Sequence, residues 1–277
     1  MADDKEVVGI IGVGRMGLPM LKHLIKHGYT VFARDVDAQQ LAEARAAGAT
    51  VVDTPAEMGT HATFVIVCVV SDEQVSQVVF GPNGLMETLK PGSIVAVSAT
   101  ASPTKVKAFD EACRAKGVDI LDAPLCRGRI YADAGTLLAL VGGRPEVVAR
   151  GRKVYGTFCS DIAHLGEVGH GQVGKAMNNL LLWINSIGLI EAGRLAESTG
   201  IDLPTLRDAL QMSSGKSQAL EDWDQSTFTW ALKDMQIVSE MADKAGLSLP
   251  ITGAVRELVK DAKRVKATNP PAWTRKR

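Results

Sequence analysis

The sequence predicts an α/β protein: a doubly wound, mostly parallel sheet, followed by an all-helical region that a long helix joins to it. Three observations predict this. Over the first half of the chain, short β-branched runs alternate with amphipathic stretches of helical period. After about residue 165 the strand-like runs stop. From there GHGQVGKAMNNLLLWINSIGLIEAGRLAESTG (169–200) reads as one helix of about 28 residues, apolar on most of its faces.

The elements follow in order. VVGII (7–11) and TVFAR (30–34) are β-branched runs that bracket MGLPMLKHLIKHG (16–28), a helical pattern ending on glycine. TFVIVCVV (63–70) is an unbroken apolar run, as a strand covered on both faces requires, and it is far too short to span a membrane. SIVAVS (93–98), TKVKAFDEACRAKG (104–117), VDILDAP (118–124) and LLALVGG (137–143) continue the alternation. Beyond the long helix, 203–212, 231–245 and 250–266 read as further helices. The tail NPPAWTRKR is expected to be poorly ordered or to lie on a neighbour. Two domains result, 1–165 built on the sheet and 166–277 built on helices.

Composition narrows the function classes. Of 277 residues 46% are apolar, enough for a full core. Lysine plus arginine equals 31 and aspartate plus glutamate equals 31, with no basic block, which argues against nucleic acid or an anionic membrane as the main partner. Cys68, Cys113, Cys126 and Cys159 lack zinc or CxxC spacing, and the five histidines show no paired-ligand spacing, so no metal site is expected. Free thiols in a reducing cytosol are the plain reading, and the acidic start MADDKEVVGI, leading directly into a strand, shows no targeting segment. A cytoplasmic protein is therefore expected.

Three stretches carry chemistry. VVGIIGVGRMG sets Gly12, Gly14 and Gly17 as GxGxxG between a strand and a helix, the arrangement of a Rossmann dinucleotide-binding domain. Gly12 makes the turn, Gly14 lets a pyrophosphate touch backbone, Gly17 lets helix pack on strand, and the helix start supplies positive potential. The next strand ends at Asp35, where a carboxylate accepts from ribose and repels a 2′-phosphate; NAD is expected over NADP. Arg34 beside it is either a solvated charge or a 2′-phosphate ligand. In GHGQVGKAMNN, Lys175 and Asn179 are four residues apart and share a helix face, and Gly171 one turn earlier leaves room for a ligand. A pocket lysine passes a proton to or from a substrate oxygen, with Asn179 holding that oxygen or the lysine; the alternative is a surface lysine with two polar neighbours. In DAPLCRGRIYADAGTL (122–137), Arg127 and Arg129 sit among small residues. A guanidinium there suits a carboxylate or sulfonate clamp. A salt bridge to Asp133 or Asp122, or contact with a cofactor phosphate, are the alternatives. If the segment stays extended both arginines point one way, and if it turns only one does.

Taken together, GIIGVGRMG, SATASP (98–103), DAPLCRGRIYADAGTLLALVGG (122–143), GHGQVGKAMNN (169–179) and FTWALKDMQIVSEMA (228–242) resemble the β-hydroxyacid dehydrogenase family, the group of 3-hydroxyisobutyrate, tartronate-semialdehyde and 6-phosphogluconate dehydrogenases. The resemblance covers most of the chain. It implies Lys175 as general acid/base with Asn179 beside it, and NAD as cofactor. The cofactor would lie on Gly12, Gly14, Arg15, Met16, Gly17, Asp35, Val69, Thr100, Lys233 and Asp234. The substrate would lie on Cys126, Arg127, Gly128 and Lys233. Imine-reducing relatives lack the lysine. The chain departs from the usual DAPVSGGxxGAxxGTL at Cys126, Arg127 and Tyr131, and from polar residues at Val97 and Ala99. An arginine in the Arg127 slot is similar to sulfolactaldehyde and 4-hydroxybutyrate-type reductases.

The expected function is hydride transfer between NAD(H) and a small anionic hydroxy acid or its aldehyde or keto form. The rivals are a reductase of imines or uncharged carbonyls and a catalytically silent NAD-binding sensor. A helix as apolar as 176–192 also predicts a homodimer or homotetramer built on the helical domain.

Overall fold

A computed structural model describes residues 5–275. The chain runs β1 (Val8–Ile11), α1 (Gly17–Lys26), β2 (Val31–Arg34), α2 (Ala38–Ala46), β3 (Thr50–Val51), α3 (Pro55–His61), β4 (Phe64–Val67), α4 (Asp72–Phe80), β5 (Ile94–Val97), α5 (Pro103–Arg114), β6 (Asp119–Asp122), β7 (Leu125–Cys126), α6 (Arg129–Ala134), β8 (Leu137–Gly142), α7 (Pro145–Tyr155) and β9 (Cys159–Gly166). There follow α8 (His170–Glu197), α9 (Leu203–Gln211), α10 (Gln218–Glu221), α11 (Ala231–Ala245) and α12 (Pro250–Thr268).

The strands form one sheet in the order β3-β2-β1-β4-β5-β6-β8-β7, with β9 on β8. The pairs from β3 through β6 are parallel; β8 runs antiparallel to β6 and β7, and β9 is parallel to β8. The order reverses between β1 and β4, the switch point where such sheets open a crevice at their carboxyl ends. Alternation within β4 explains its unbroken apolar run. Phe64 and Ile66 enter one buried cluster with Leu21, Leu24 and Tyr155, while Val65 and Val67 enter a second with Met58, Val75 and Val95. Both faces are covered, so neither can be polar.

The described chain divides into two compact units after Lys175, inside α8, and not at the 165/166 boundary that the end of the strands suggests. The first residues of α8 are tied to the sheet, as described below. In the helical unit, Trp183, Trp223, Met235, Val255 and Trp273 form one core. Here the expectation of a loose tail is corrected for residues 269–275, Lys276 and Arg277 lying outside the described residues. Trp273 is 1% exposed and its Nε1 donates to the Leu189 carbonyl at 3.0 Å. Ala272 N–H donates to Glu197, and Pro271 packs where Gly193 leaves out a side chain. Of the described residues, no helix is long and apolar enough to cross a membrane.

Candidate active site

The phosphate loop is built by backbone contact. Gly12 has φ +91°, and a Cβ on it would strike the Cys68 carbonyl at the end of β4. A Cβ on Gly17 would strike the Gly12 carbonyl, so helix and turn close on each other only with glycine at both places. Gly14 has open space where its Cβ would point. Helix α1 starts without a side-chain cap; Leu18 N–H turns back to the Gly14 carbonyl at 3.1 Å and Pro19 has no N–H, which leaves the Gly17 N–H to another acceptor. Both oxygens of Asp35 shape the loop: Oδ2 accepts from Val13 N–H at 2.8 Å and Oδ1 from Asp37 N–H at 2.9 Å. A carboxylate offers about four lone-pair sites, so it retains acceptors for a ribose. The open glycine, the uncapped helix start and the carboxylate ending the turn after β2 fit a dinucleotide. Arg34, Met16 and Val69 are half-buried around this loop and Arg15 is exposed.

The two arginines of CRGR part company. Arg127 and Gly128 both have φ +84°, which breaks the extended path before α6. Arg129 turns to the phosphate loop: its Nη1 donates to the Arg15 carbonyl at 2.9 Å and its Nε pairs with Asp133 at 2.7 Å. His23 of α1 also meets the Asp133 carbonyl at 3.0 Å, so α6 is fastened to α1. Arg127 turns toward the start of β9. Its Nη1 contacts the Thr136 carbonyl at 2.9 Å, Ser160 Oγ at 2.8 Å and Asp161 Oδ2 at 2.8 Å. The Ser160 hydroxyl and the Arg127 guanidinium hold the Asp161 carboxyl below the ordinary range. The salt-bridge partner of Arg127 is thus Asp161, neither Asp133 nor Asp122. Its Nε and Nη2, the forked edge of the guanidinium, make no hydrogen bond among the described residues.

Lys175 is half-buried, with Nζ 3.9 Å from Cys126 Sγ at the end of β7. The turn that carries it is clamped. Asp122, at the end of β6 and fully buried, accepts at Oδ2 from Gly169 N–H (2.9 Å) and Gln172 N–H (3.0 Å). Gly171 has a different reason from the one its spacing suggests: a Cβ there would lie 2.7 Å from the Leu140 carbonyl and 2.9 Å from Asp122 Cγ. The space is filled by the sheet, and no ligand room remains. Gln172, 1% exposed, spans the β5–α5 loop: Oε1 accepts from Ala101 N–H at 2.9 Å and Nε2 donates to the Ala99 carbonyl at 3.0 Å. The half-buried Thr100 lies between those two residues. SATASP, DAPLC and GHGQVGK therefore meet at one place. Sequence reasoning named Asp122 only as a possible partner of Arg127 and missed Gln172, Ser160 and Asp161; Asp122 and Gln172 lie 50 residues apart, and no local pattern pairs them.

In the helical unit, Asn179 is 4% exposed and its Oδ1 accepts from Asn178 at 3.0 Å. Asp234 is buried and accepts from the Trp183 indole N–H at 3.0 Å, so it serves packing within that unit. Lys233 beside it is half-buried.

Burial pushes the Asp122 carboxyl up to about 7, against the lowering effect of the Gln172 and Gly169 amides. The folded protein thus holds a proton there that the unfolded chain releases near pH 4. The stabilisation from Asp122 is complete below that pH and is lost as pH rises to about 7, with a slope of at most about 1.4 kcal/mol per pH unit. Asp122→Asn, which keeps an acceptor oxygen, is expected to remove this part of the pH dependence. Unfolding measured for both proteins across that range checks it; parallel curves would contradict it.

Comparison with known proteins follows the same division. Residues 7–178 match the model of the NAD binding domain of 6-phosphogluconate dehydrogenase. Residues 169–269 match the model for NAD-binding of NADP-dependent 3-hydroxyisobutyrate dehydrogenase. The chain is 35% identical over 224 residues to the mitochondrial 3-hydroxyisobutyrate dehydrogenase of Rattus norvegicus, a span of 81% of this chain and 65% of that protein. It therefore covers just under two thirds of that relative's length. It is 32% identical over 214 residues to 2-(hydroxymethyl)glutarate dehydrogenase of Eubacterium barkeri, covering 77% of this chain and 71% of the other. Among solved structures, 3-hydroxyisobutyrate dehydrogenase from Salmonella typhimurium superposes with a TM-score of 0.84 at 26% identity over 95% of each chain.

Proposed function

The chain belongs to the β-hydroxyacid dehydrogenase family, and on that premise we propose that it transfers a hydride between NAD(H) and a small anionic hydroxy acid or its aldehyde or keto form. The observation that carries the proposal is a half-buried Lys175 beside Cys126, on a helix start fastened to the loop bearing Thr100. Bound NAD supplies the hydride acceptor. Gly14 and the Gly17 N–H at the start of α1 would hold its pyrophosphate, and Asp35 would hold the adenosine ribose. As the carbinol carbon loses hydride, the amine form of Lys175 takes the hydroxyl proton; in the reverse direction the ammonium returns it to the carbonyl oxygen. By the family resemblance Asn179 would align that oxygen, and Thr100, Val69 and Lys233 would be the cofactor-side residues. Cys126 and Gly128 border the substrate.

Arg127 holds the substrate anion. Asp161 and Ser160 anchor one edge of the guanidinium through Nη1, which leaves the Nε/Nη2 edge for a bidentate carboxylate or sulfonate. The test is a panel of hydroxy carboxylates, sulfonates and phosphonates, each assayed with NAD and with NADP. Turnover of anionic substrates with NAD supports the reading; turnover of imines or uncharged alcohols alone overturns it.

Asp35 sets the cofactor preference. The wild type should have the higher kcat/KM with NAD, and Asp35→Ser should shift the ratio toward NADP while weakening NAD, since the Val13 and Asp37 amides lose an acceptor. A wild type that uses NADP equally well would implicate Arg34 instead. The four cysteines are free, which suits the cytoplasm. Leu181 and Leu195 of α8 are 60% and 72% exposed, and we read this helix as the centre of a homodimer or homotetramer. Light scattering showing a monomer at micromolar concentration would overturn that reading.

A further inference from the structure

Two buried polar side chains, Gln172 at the start of α8 and Asp122 at the end of β6, have no part in the chemistry above. The Gln172 amide meets the backbone on both sides of Thr100, accepting from Ala101 and donating to Ala99. Asp122 accepts from the Gln172 backbone and from Gly169. Gln172 is thus fixed from two sides, by the end of β6 through its own N–H and by the β5–α5 loop through its side chain. Lys175 is three residues on and one turn along the same helix, so Gln172 and Lys175 are neighbours on its surface. Cys126, which touches Lys175, follows Asp122 by four residues. A buried amide with both donor and acceptor satisfied on one loop leaves that loop a single position, because any shift strands polar groups away from water.

We propose that Gln172, anchored by Asp122, is a positioning residue that fixes the loop bearing Thr100 against the turn bearing Lys175. The inference rests on the reading of Lys175 given above. A displacement of about 1 Å between reacting groups costs up to about 10²-fold in rate, so the clamp acts on turnover more than on ligand affinity.

The experiment compares Gln172→Met, Asp122→Ala, Asp122→Asn and Lys175→Met. It reads NADH affinity by fluorescence, kcat and KM for the acid turned over best in the panel, and the thermal midpoint. Gln172→Met and Asp122→Ala should lower kcat by about 10- to 100-fold with KM and NADH affinity within about threefold. Asp122→Asn, which keeps an acceptor, should restore most of the loss. Lower thermal midpoints with kcat per folded molecule unchanged would overturn the proposal. If Lys175→Met turns over normally, the acid–base reading falls; if it is inactive while Gln172→Met is as fast as wild type, only the present inference falls. Where a variant does not fold, amide exchange in the wild type without nucleotide decides. Ala101 N–H should exchange as slowly as Gly169 and Gln172 N–H, and fast exchange at Ala101 alone would break the clamp.

Discussion

Replacing Lys175 with methionine is expected to lower kcat by about 10²–10⁴-fold while NADH still binds, because the lysine acts on the proton in flight and leaves the nucleotide alone. Methionine keeps the length and apolar stem, so the packing against Cys126 survives. The proposed nucleotide-binding features lie elsewhere, in the Gly12–Gly17 loop and at Asp35. Asn179→Ala should cost less, since it removes an aligning hydrogen bond and no proton carrier. Steady-state kinetics with an NADH titration check both. A Lys175→Met protein within a fewfold of wild type would mean that another group moves the proton.

Arg127→Ala should raise KM for an anionic hydroxy acid by roughly 10²-fold or more. Once bound substrate covers the exposed guanidinium and excludes water, the charged, hydrogen-bonded pair is worth about 2–5 kcal/mol. NAD affinity and turnover of an uncharged alcohol should change little. Asp161 makes the outcome informative. Losing Arg127 also strands that exposed carboxylate, but an exposed pair contributes only about 0–1 kcal/mol to stability. A large KM effect with a small drop in thermal midpoint therefore identifies substrate recognition. An unchanged KM for every anionic substrate, with a lower midpoint, would make Arg127 a brace between β7 and β9.

The parts of the fold that could be read from the sequence are those with local causes. Phe64–Val67 is apolar throughout because both faces are covered, and the long helix occupies His170–Glu197 much as its pattern suggests. β9 was not legible: CSDIAHLG has exposed Ser160, Asp161, His164 and Leu165, and it is a strand because β8 offers a partner. β3 and β7 have two residues each, too few to show a period. The GxGxxG loop and Lys175 are likewise local signals. The clamp through Asp122 and Gln172, and the pairing of Arg127 with Asp161 across 34 positions (161 minus 127), depend on strand order, which no short pattern contains. Gly171 shows the limit most plainly. A glycine beside the lysine-bearing turn suggests ligand space, but here the sheet fills it.

The central claim is that hydride passes directly between the carbinol carbon and the nicotinamide at this site. The most direct measurement uses hydroxy acids carrying deuterium on that carbon, incubated with the protein and NAD, with the reduced nucleotide isolated and examined by mass spectrometry and NMR. The account predicts one deuterium at C4 of the nicotinamide, a matching aldehyde or ketone, and loss of both with Lys175→Met. Nucleotide that binds to the protein but is never reduced by any acid in the panel, or is reduced without deuterium, would contradict it.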